Sequence, residues 1–450
     1  MNITVVGSGY VGLVSGVCLA ARGHDVTCVD IDRDIVNDLN AGRPHIYEPH
    51  LKELLQNVLK AQRFRASHNL ALSLAGSEML MVAVGTPSLN GRIDLTHVRR
   101  VAREVGLLLR ERNDFLSVIV KSTVIPGTTD TLVAEEITST SSKSKESFGL
   151  GMNPEFLREG EAVHDFMEPD RIVLGFDDQL SLNAMREIYR DWSCDKLEVN
   201  TRTAELIKYA NNVLLATQIS AINEIANFAG TLGGIDIMSV VQGVHLDRRW
   251  SPFACGERVH PPILTYLIPG CGFGGSCFRK DIEALRSEGR RRGLPMALLN
   301  AVLEVNEAQP LQVCDLIARE MALSGKAALL LGLAFKPNTD DVRESPSFTI
   351  VQDLLSRGVK VTVHDPMAAT NFLRSAGEQS RDICVVDDWR GAVESADIIV
   401  VVTQWPEYRD LANLGLRGQM IFDCRQMFKP HELTNAHYLS VGRSPSRLLG

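Results

Sequence analysis

The chain has 450 residues, of which 45% are apolar and 23% charged, with 47 basic against 55 acidic side chains and a net charge of −8. That length suggests roughly three domain-sized units of a globular protein, and the acidic balance without any like-charge block argues against a nucleic-acid surface. Nine cysteines without a CxxC pattern exclude a metal site or disulfide framework and point to reduced thiols in the cytoplasm.

The first stretch, "ITVVGSGYVGLVSGVCLAARGHDVTCVD", predicts a strand at Ile3 to Val6, a helix from Tyr10 to Gly23 and a second strand at Val26 to Val29. Although apolar, it lacks a basic n-region, so a signal peptide is not expected. No segment reaches ~18 uninterrupted apolar residues, so no membrane span is expected either. Gly7, Gly9 and Gly12 form GxGxxG between strand and helix, the setting in which this motif binds a dinucleotide. Gly7 allows the turn, Gly9 lets the backbone approach a pyrophosphate, and Gly12 lets helix and strand pack closely. The helix N-terminus then faces the negative charge. Asp30 closes the second strand, where a carboxylate accepts from both ribose hydroxyls and repels a 2′-phosphate, favouring NAD over NADP.

Further strands are predicted within 78–87 ("EMLMVAVGTP") and 116–129 ("LSVIVKSTVIPGTT"). Both end in Thr, Pro and Gly, as ligand loops at the carboxyl ends of parallel strands do. Thr86 and Thr123 either face the ligand there or cap helices. Residues 139–147 read as a polar surface loop and 171–176 as a strand. From Thr201 to Leu232 apolar residues recur at three-to-four spacing with no Pro and no Gly before Gly230 in the last turn, which predicts one long helix with a wide apolar face suited to a dimer interface. A second helical stretch, from Ile282 to Leu323, breaks near Gly293 and Pro295. Strands at 326–335, 396–405 and 418–425, and a helix and strand over 347–366, make a second α/β unit without GxGxxG. The fold class is therefore α/β: two Rossmann-like doubly wound domains joined by a long central helix and a helical dimerisation region, with a ligand cleft between them. The domains are expected at 1–200, 201–310 and 311–450.

Four stretches combine glycines with charged or nucleophilic groups: 153–160, 204–212, 270–281 and 335–346. Lys208 and Asn212 stand four apart on one helical face, and both can donate to an oxygen that becomes negative. Cys277 follows two glycines at the start of a helix, where a thiol is more acidic and more nucleophilic. Lys280 and Asp281 follow on the same face. A thiolate beside a nicotinamide can trap an aldehyde and pass through a thioester. Cys271, earlier in the glycine run, reads as a loop residue.

The motifs "GSGYVG", "VGTP", "KSTVIPGTT", "NPEFLREG", "KYANN", "GFGGSCFRKD" and "LAFKPNTDDVRESP" occur in that order. With them the chain resembles the UDP-glucose/GDP-mannose dehydrogenase family over nearly its whole length. The resemblance implies an NAD-dependent enzyme that oxidises the C6 alcohol of a nucleotide sugar to a carboxylate with two NAD molecules, without releasing the aldehyde. It implies Cys277 as nucleophile, Lys208 and Asn212 as oxyanion donors, Glu155 as general base through a water, and Asp281 as the group that positions the hydrolytic water. It implies Thr123 and Glu159 near the nicotinamide, with Gly7, Gly9, Tyr10, Val11, Gly12, Asp30, Thr86 and Arg343 around the rest of the cofactor. For the substrate it implies segment 155–159 (Glu155, Phe156, Leu157, Arg158, Glu159), the loop through Gly272, Phe273 and Gly274, and Lys336 and Arg425.

The chain departs from the family pattern in three places. An Asp-x-Arg element whose Arg reaches a neighbouring subunit's sugar is represented here by Asp247 and Arg249, followed by about a dozen extra residues, so that Arg249 or Arg258 takes that place. Ile35 stands where a basic residue is usual after the ribose-binding acid, with Arg33 as substitute. Cys424 stands where Gly is usual beside Arg425. "GFGGSCF" and "DCR" favour UDP-glucose over GDP-mannose, and Ser276 stands where enzymes for N-acetylhexosamines carry His. A two-electron β-hydroxyacid-type dehydrogenase and a non-catalytic nucleotide-sugar sensor are the readings from other classes.

Overall fold

The computed structural model describes residues 1–443; the C-terminal end of the expected third domain, 444–450, lies outside the described residues. The chain divides into two compact units, one of residues 1–211 and 283–292, the other of 212–282 and 293–450.

The first unit is built on an eight-stranded sheet. Its strands are β1 (Asn2–Val6), β2 (Asp25–Val29), β3 (Phe64–Ser67), β4 (Met79–Val82), β5 (Ser117–Val120), β6 (Gly149–Met152), β7 (Arg171–Phe176) and β8 (Asp195–Val199). Their order is β8-β7-β6-β5-β4-β1-β2-β3. The six from β1 to β6 run parallel, and β7 pairs antiparallel with β6. Central strands such as β4 and β5 are buried at every position, because helices cover both faces of a parallel sheet; that is why they read as unbroken apolar runs. The edge strand β8, with sequence DKLEV, is exposed or half-buried throughout, and its alternation of charges hides it from a search for apolar runs. Helix α1 (Tyr10–Ala21) packs on the sheet with nine consecutive buried residues, Gly12 to Ala20.

The division between units falls inside helix α2 (Thr201–Leu232), whose ends coincide with the periodic stretch. Helix α3 (Phe278–Arg291) and helix α4 (Ala297–Glu320) are separated where Gly293 and Pro295 predict a break. The second unit carries a six-stranded sheet of β9 (Ala327–Leu331), β10 (Lys360–His364), β11 (Ile383–Val385), β12 (Ile398–Val401), β13 (Met420–Asp423) and β14 (His437–Ser440). All its strands are parallel, in the order β11-β10-β9-β12-β13-β14. This is the doubly wound order, with its switch point between β9 and β12.

Candidate active site

In the first unit, Gly7 has φ +95 and its amide donates to the Val29 carbonyl at 2.8 Å, joining the ends of β1 and β2. A Cβ on Gly12 would lie 1.8 Å from the Gly7 carbonyl oxygen, whereas one on Gly9 would meet nothing within 4 Å. The turn is thus closed beneath Gly12 and open above Gly9, and no side chain caps α1 at Tyr10 and Val11. An anion can approach those amides directly. Asp30 accepts from the Ser8 amide and hydroxyl, at 2.9 and 2.6 Å, and from the Asp32 amide at 3.0 Å. Burial pushes its carboxyl up, but these bonds outweigh it and hold Asp30 below the usual carboxylate range. Turn, helix end and anchored carboxylate fit a dinucleotide. Arg33 is exposed at the start of the next helix, which Asp32 caps.

Sequence reasoning missed Glu48. It is buried and accepts from the Tyr10 hydroxyl and from the amides of Gly160 and Ala162, the latter two at 2.8 and 2.7 Å. It therefore ties the first residue of α1 to the loop carrying Glu159, across more than a hundred residues, and no local signal announces it.

At the carboxyl ends of the neighbouring strands β4 and β5, the Thr86 hydroxyl donates to the Thr123 carbonyl at 2.8 Å. Glu155, 8% exposed, forms a 2.8 Å ion pair with Lys208 and accepts from the Leu157 amide at 2.7 Å. Burial raises the Glu155 carboxyl, yet the Lys208 charge and hydrogen bond more than offset it, so the group is held below its ordinary value. The Phe156 ring has the Arg171 guanidinium 3.8 Å and the Lys208 ammonium 5.7 Å from its centre. Arg158 is exposed and paired with Asp165 at 2.6 Å and Glu161 at 2.7 Å. Thr123 and Glu159 are half-buried.

In the second unit, Cys277 is exposed immediately before α3, and its carbonyl accepts from the Asp281 amide at 2.9 Å. Asp281 is 1% exposed; one carboxylate oxygen takes the Asn212 amide and the other the Lys280 ammonium, each at 2.7 Å. The glycines before Cys277 serve close packing. A Cβ on Gly270 would stand 2.6 Å from the Cys424 carbonyl, on Gly272 2.7 Å from Asn306, on Gly274 2.4 Å from the Glu344 carbonyl and on Gly275 2.9 Å from the Phe335 ring. Asn223 of α2 and Asn306 and Gln309 of α4 bond the backbone of Gly270 and Phe273.

Cys271 lies in the loop before α3, as its setting in the sequence predicts, yet its side chain is not at the surface. It is fully buried in the core of this unit beside Cys424. A hydrogen bond from the Cys424 thiol pulls the Cys271 thiol down to about 7, while burial pushes Cys424 up. Arg425 donates to the Gly272 carbonyl at 3.2 Å and to the Val402 carbonyl at 2.7 Å. Lys336 is half-buried, and Arg343 is exposed with its guanidinium on Asp341 at 2.7 Å. Arg258 donates to the carbonyls of Leu246 and Ser251, at 2.7 and 3.1 Å, whereas Arg249 projects with 87% of its side chain exposed, paired with Asp247 at 2.6 Å.

Three family models match the chain in order. They describe the NAD binding domain (residues 1–193), the central domain (202–308) and the UDP binding domain (329–430) of the UDP-glucose/GDP-mannose dehydrogenase family. The chain is 37% identical to UDP-glucose 6-dehydrogenase TuaD of Bacillus subtilis, covering 99% of this chain and 94% of that protein. It is 36% identical to a UDP-glucose 6-dehydrogenase of Pseudomonas aeruginosa, with 98% and 97% covered. The solved structure of a UDP-glucose dehydrogenase from Pyrobaculum islandicum matches with a TM-score of 0.88 at 38% identity, covering 98% of both chains.

Proposed function

The chain belongs to the UDP-glucose/GDP-mannose dehydrogenase family of NAD-dependent oxidoreductases, and from that premise we propose that it oxidises UDP-glucose to UDP-glucuronate in two successive two-electron steps. The observation that carries this reading is Cys277, exposed at the start of α3, one helical turn from an Asp281 fixed by Asn212 and Lys280. A simple alcohol dehydrogenase needs no such thiol; retention of an aldehyde for a second oxidation does.

The turn Gly7–Gly12, the amides of Tyr10 and Val11 and the Asp30 carboxylate hold NAD, with Arg33, Thr86, Thr123, Glu159 and Arg343 nearby. When bound, NAD supplies the hydride acceptor for both oxidations. The Glu155 carboxylate takes the proton of the C6 hydroxyl through a water. The Cys277 sulfur adds to the C6 aldehyde carbon to give a thiohemiacetal, and loss of hydride from that carbon leaves a thioester. Lys208 and Asn212 donate to the oxygen that is negative in each addition. Asp281 positions the water that cleaves the C–S bond, releasing carboxylate and restoring the thiol. Phe156, Leu157 and Arg158, the loop Gly272–Gly274, Lys336 and Arg425 hold the nucleotide sugar. The exposure of Arg249 and the engagement of Arg258 with backbone carbonyls favour Arg249 as the residue offered to a partner's sugar. Residues 1–200 then form the NAD domain, 201–310 the central dimerisation and active-site region, and 311–450 the UDP-sugar domain. That none of the nine cysteines forms a disulfide among the described residues supports the reducing cytoplasm as its compartment.

The test is a panel of nucleotide sugars with NAD, scored by NADH formed. Two NADH per UDP-glucose are expected. One per substrate reassigns the protein to two-electron chemistry, turnover of GDP-mannose alone moves it to the other branch, and no turnover of any sugar sinks the reading.

A further inference from the structure

Lys121 directly follows β5 and is 3% exposed. Its ammonium donates to the Asn153 side-chain oxygen at 2.8 Å and lies 5.6 Å from the centre of the Phe166 ring. Asn153 is itself fixed: its oxygen also accepts from the Tyr189 hydroxyl at 2.6 Å, and its amide donates to the Val173 carbonyl at 2.9 Å. Among the described residues, Lys121 meets no carboxylate at ion-pair distance. A buried ammonium held by one neutral oxygen is costly, and a mere scaffold would do better with an apolar side chain. The cost has a visible direction: burial pulls Lys121 down to about 8.

The charged groups whose fields reach it are Glu155, attractive, and Lys208, repulsive. Tyr189 is neutral, since burial pushes its phenol far above its ordinary range. Glu155 and Lys208 alone would form a neutral pair; with Lys121 the cluster carries one net positive charge. We propose that Lys121 is a positioning residue of this site: a buried cation behind Asn153, two positions before Glu155, whose field adds to that of Lys208 on Glu155 and leaves the Lys121–Glu155–Lys208 cluster net positive for a substrate oxygen that becomes negative. This rests on the reading of Glu155 as general base, and its test separates the two.

In the unaltered protein labelled with 13C at glutamate carboxyls, the Glu155 signal is assigned by its loss in Glu155→Gln. It is expected to show its own titration and a second, smaller inflection near pH 8 as Lys121 deprotonates. Lys121→Met should erase the second inflection and raise the Glu155 titration by about one pH unit, tenfold in proton affinity. The acid limb of kcat/KM should move up equally, kcat at pH 7 should fall about tenfold, and KM for UDP-glucose should change less than twofold. Lys121→Arg should keep the acid limb in place. At pH 7 the Met variant should melt higher than the unaltered chain, because a desolvated charge is gone; a scaffolding lysine predicts a lower melting temperature. An unshifted Glu155 titration in Lys121→Met, or no second inflection in the unaltered protein should that variant fail to fold, overturns the proposal. If UDP-glucose is not turned over at all, the base assignment fails while the carboxyl titration still decides Lys121.

Discussion

Cys277 is exposed at the start of α3, whereas Cys271, six residues earlier, is closed into the core against Cys424. The two serine variants should therefore fail in different ways. Cys277→Ser should fold normally and form no UDP-glucuronate above about one-thousandth of the unaltered rate, since the thioester cannot form. Cys271→Ser should keep its chemistry but lose about 1–2 kcal/mol of stability, as a hydroxyl replaces a buried, packed thiol. Product assays and urea unfolding on the same two proteins read both outcomes; equal activity loss would refute the assignment of the nucleophile. The proposed nucleophile was legible as a Cys after glycines at a helix start. The core role of Cys271 was not, because Cys424 lies 153 positions away in the chain.

At the scale of elements, α2 and the loop after β5 are locked by Glu205. This side chain is fully buried and accepts from the Thr129 amide and hydroxyl at 2.8 and 2.7 Å, and from the Gly127 amide. Burial pushes its carboxyl up to about 7 against those donors. Because this lies above the ~4.3 of an unfolded chain, the folded state keeps a proton over that window which the unfolded state has lost. Stability contributed here is fully present below pH ~4.3 and declines as pH rises to about 7. Glu205→Gln should flatten that decline, by about 1–3 kcal/mol between pH 5 and 8 in urea midpoints; an unchanged slope would locate the titration elsewhere. Element boundaries were the more readable level. The limits of α2 and the break between α3 and α4 follow from apolar period, Gly and Pro, all local signals. The edge strand β8 escaped because its sequence DKLEV is a mixed polar pattern, and the edge strand β11 because its three residues, ICV, are too short a run to signal a strand.

For the whole molecule, α2 exposes Leu214, Ile225, Phe228 and Leu232 at 62, 51, 63 and 60%. Their spacing sets them along one stripe of the helix, more apolar surface than a solitary chain favours in water. We expect a homodimer through this face. Sedimentation should give about twice the chain mass for the unaltered protein, and Leu214→Glu with Phe228→Glu should yield monomers; an unaltered chain that sediments as a monomer rules the interface out. Among the described residues no helix is long and apolar enough to cross a membrane.

The amino-acid order alone determined the α/β class, the glycine turn before α1 with Asp30 behind it, the long α2 and the cysteine at the head of α3. Each is written in contiguous residues whose backbone preferences or periodicity act over one or two turns. Only the tertiary structure decided that Glu48 clamps Tyr10 to the Gly160 loop, that Glu155 is an ionised partner of Lys208, that the glycines near Cys277 make room for neighbouring backbone and rings, and that Lys121 is a buried cation. Those facts depend on groups dozens to hundreds of positions apart, and on the water excluded between them. No local pattern encodes the desolvation and pairing that set a side chain's charge.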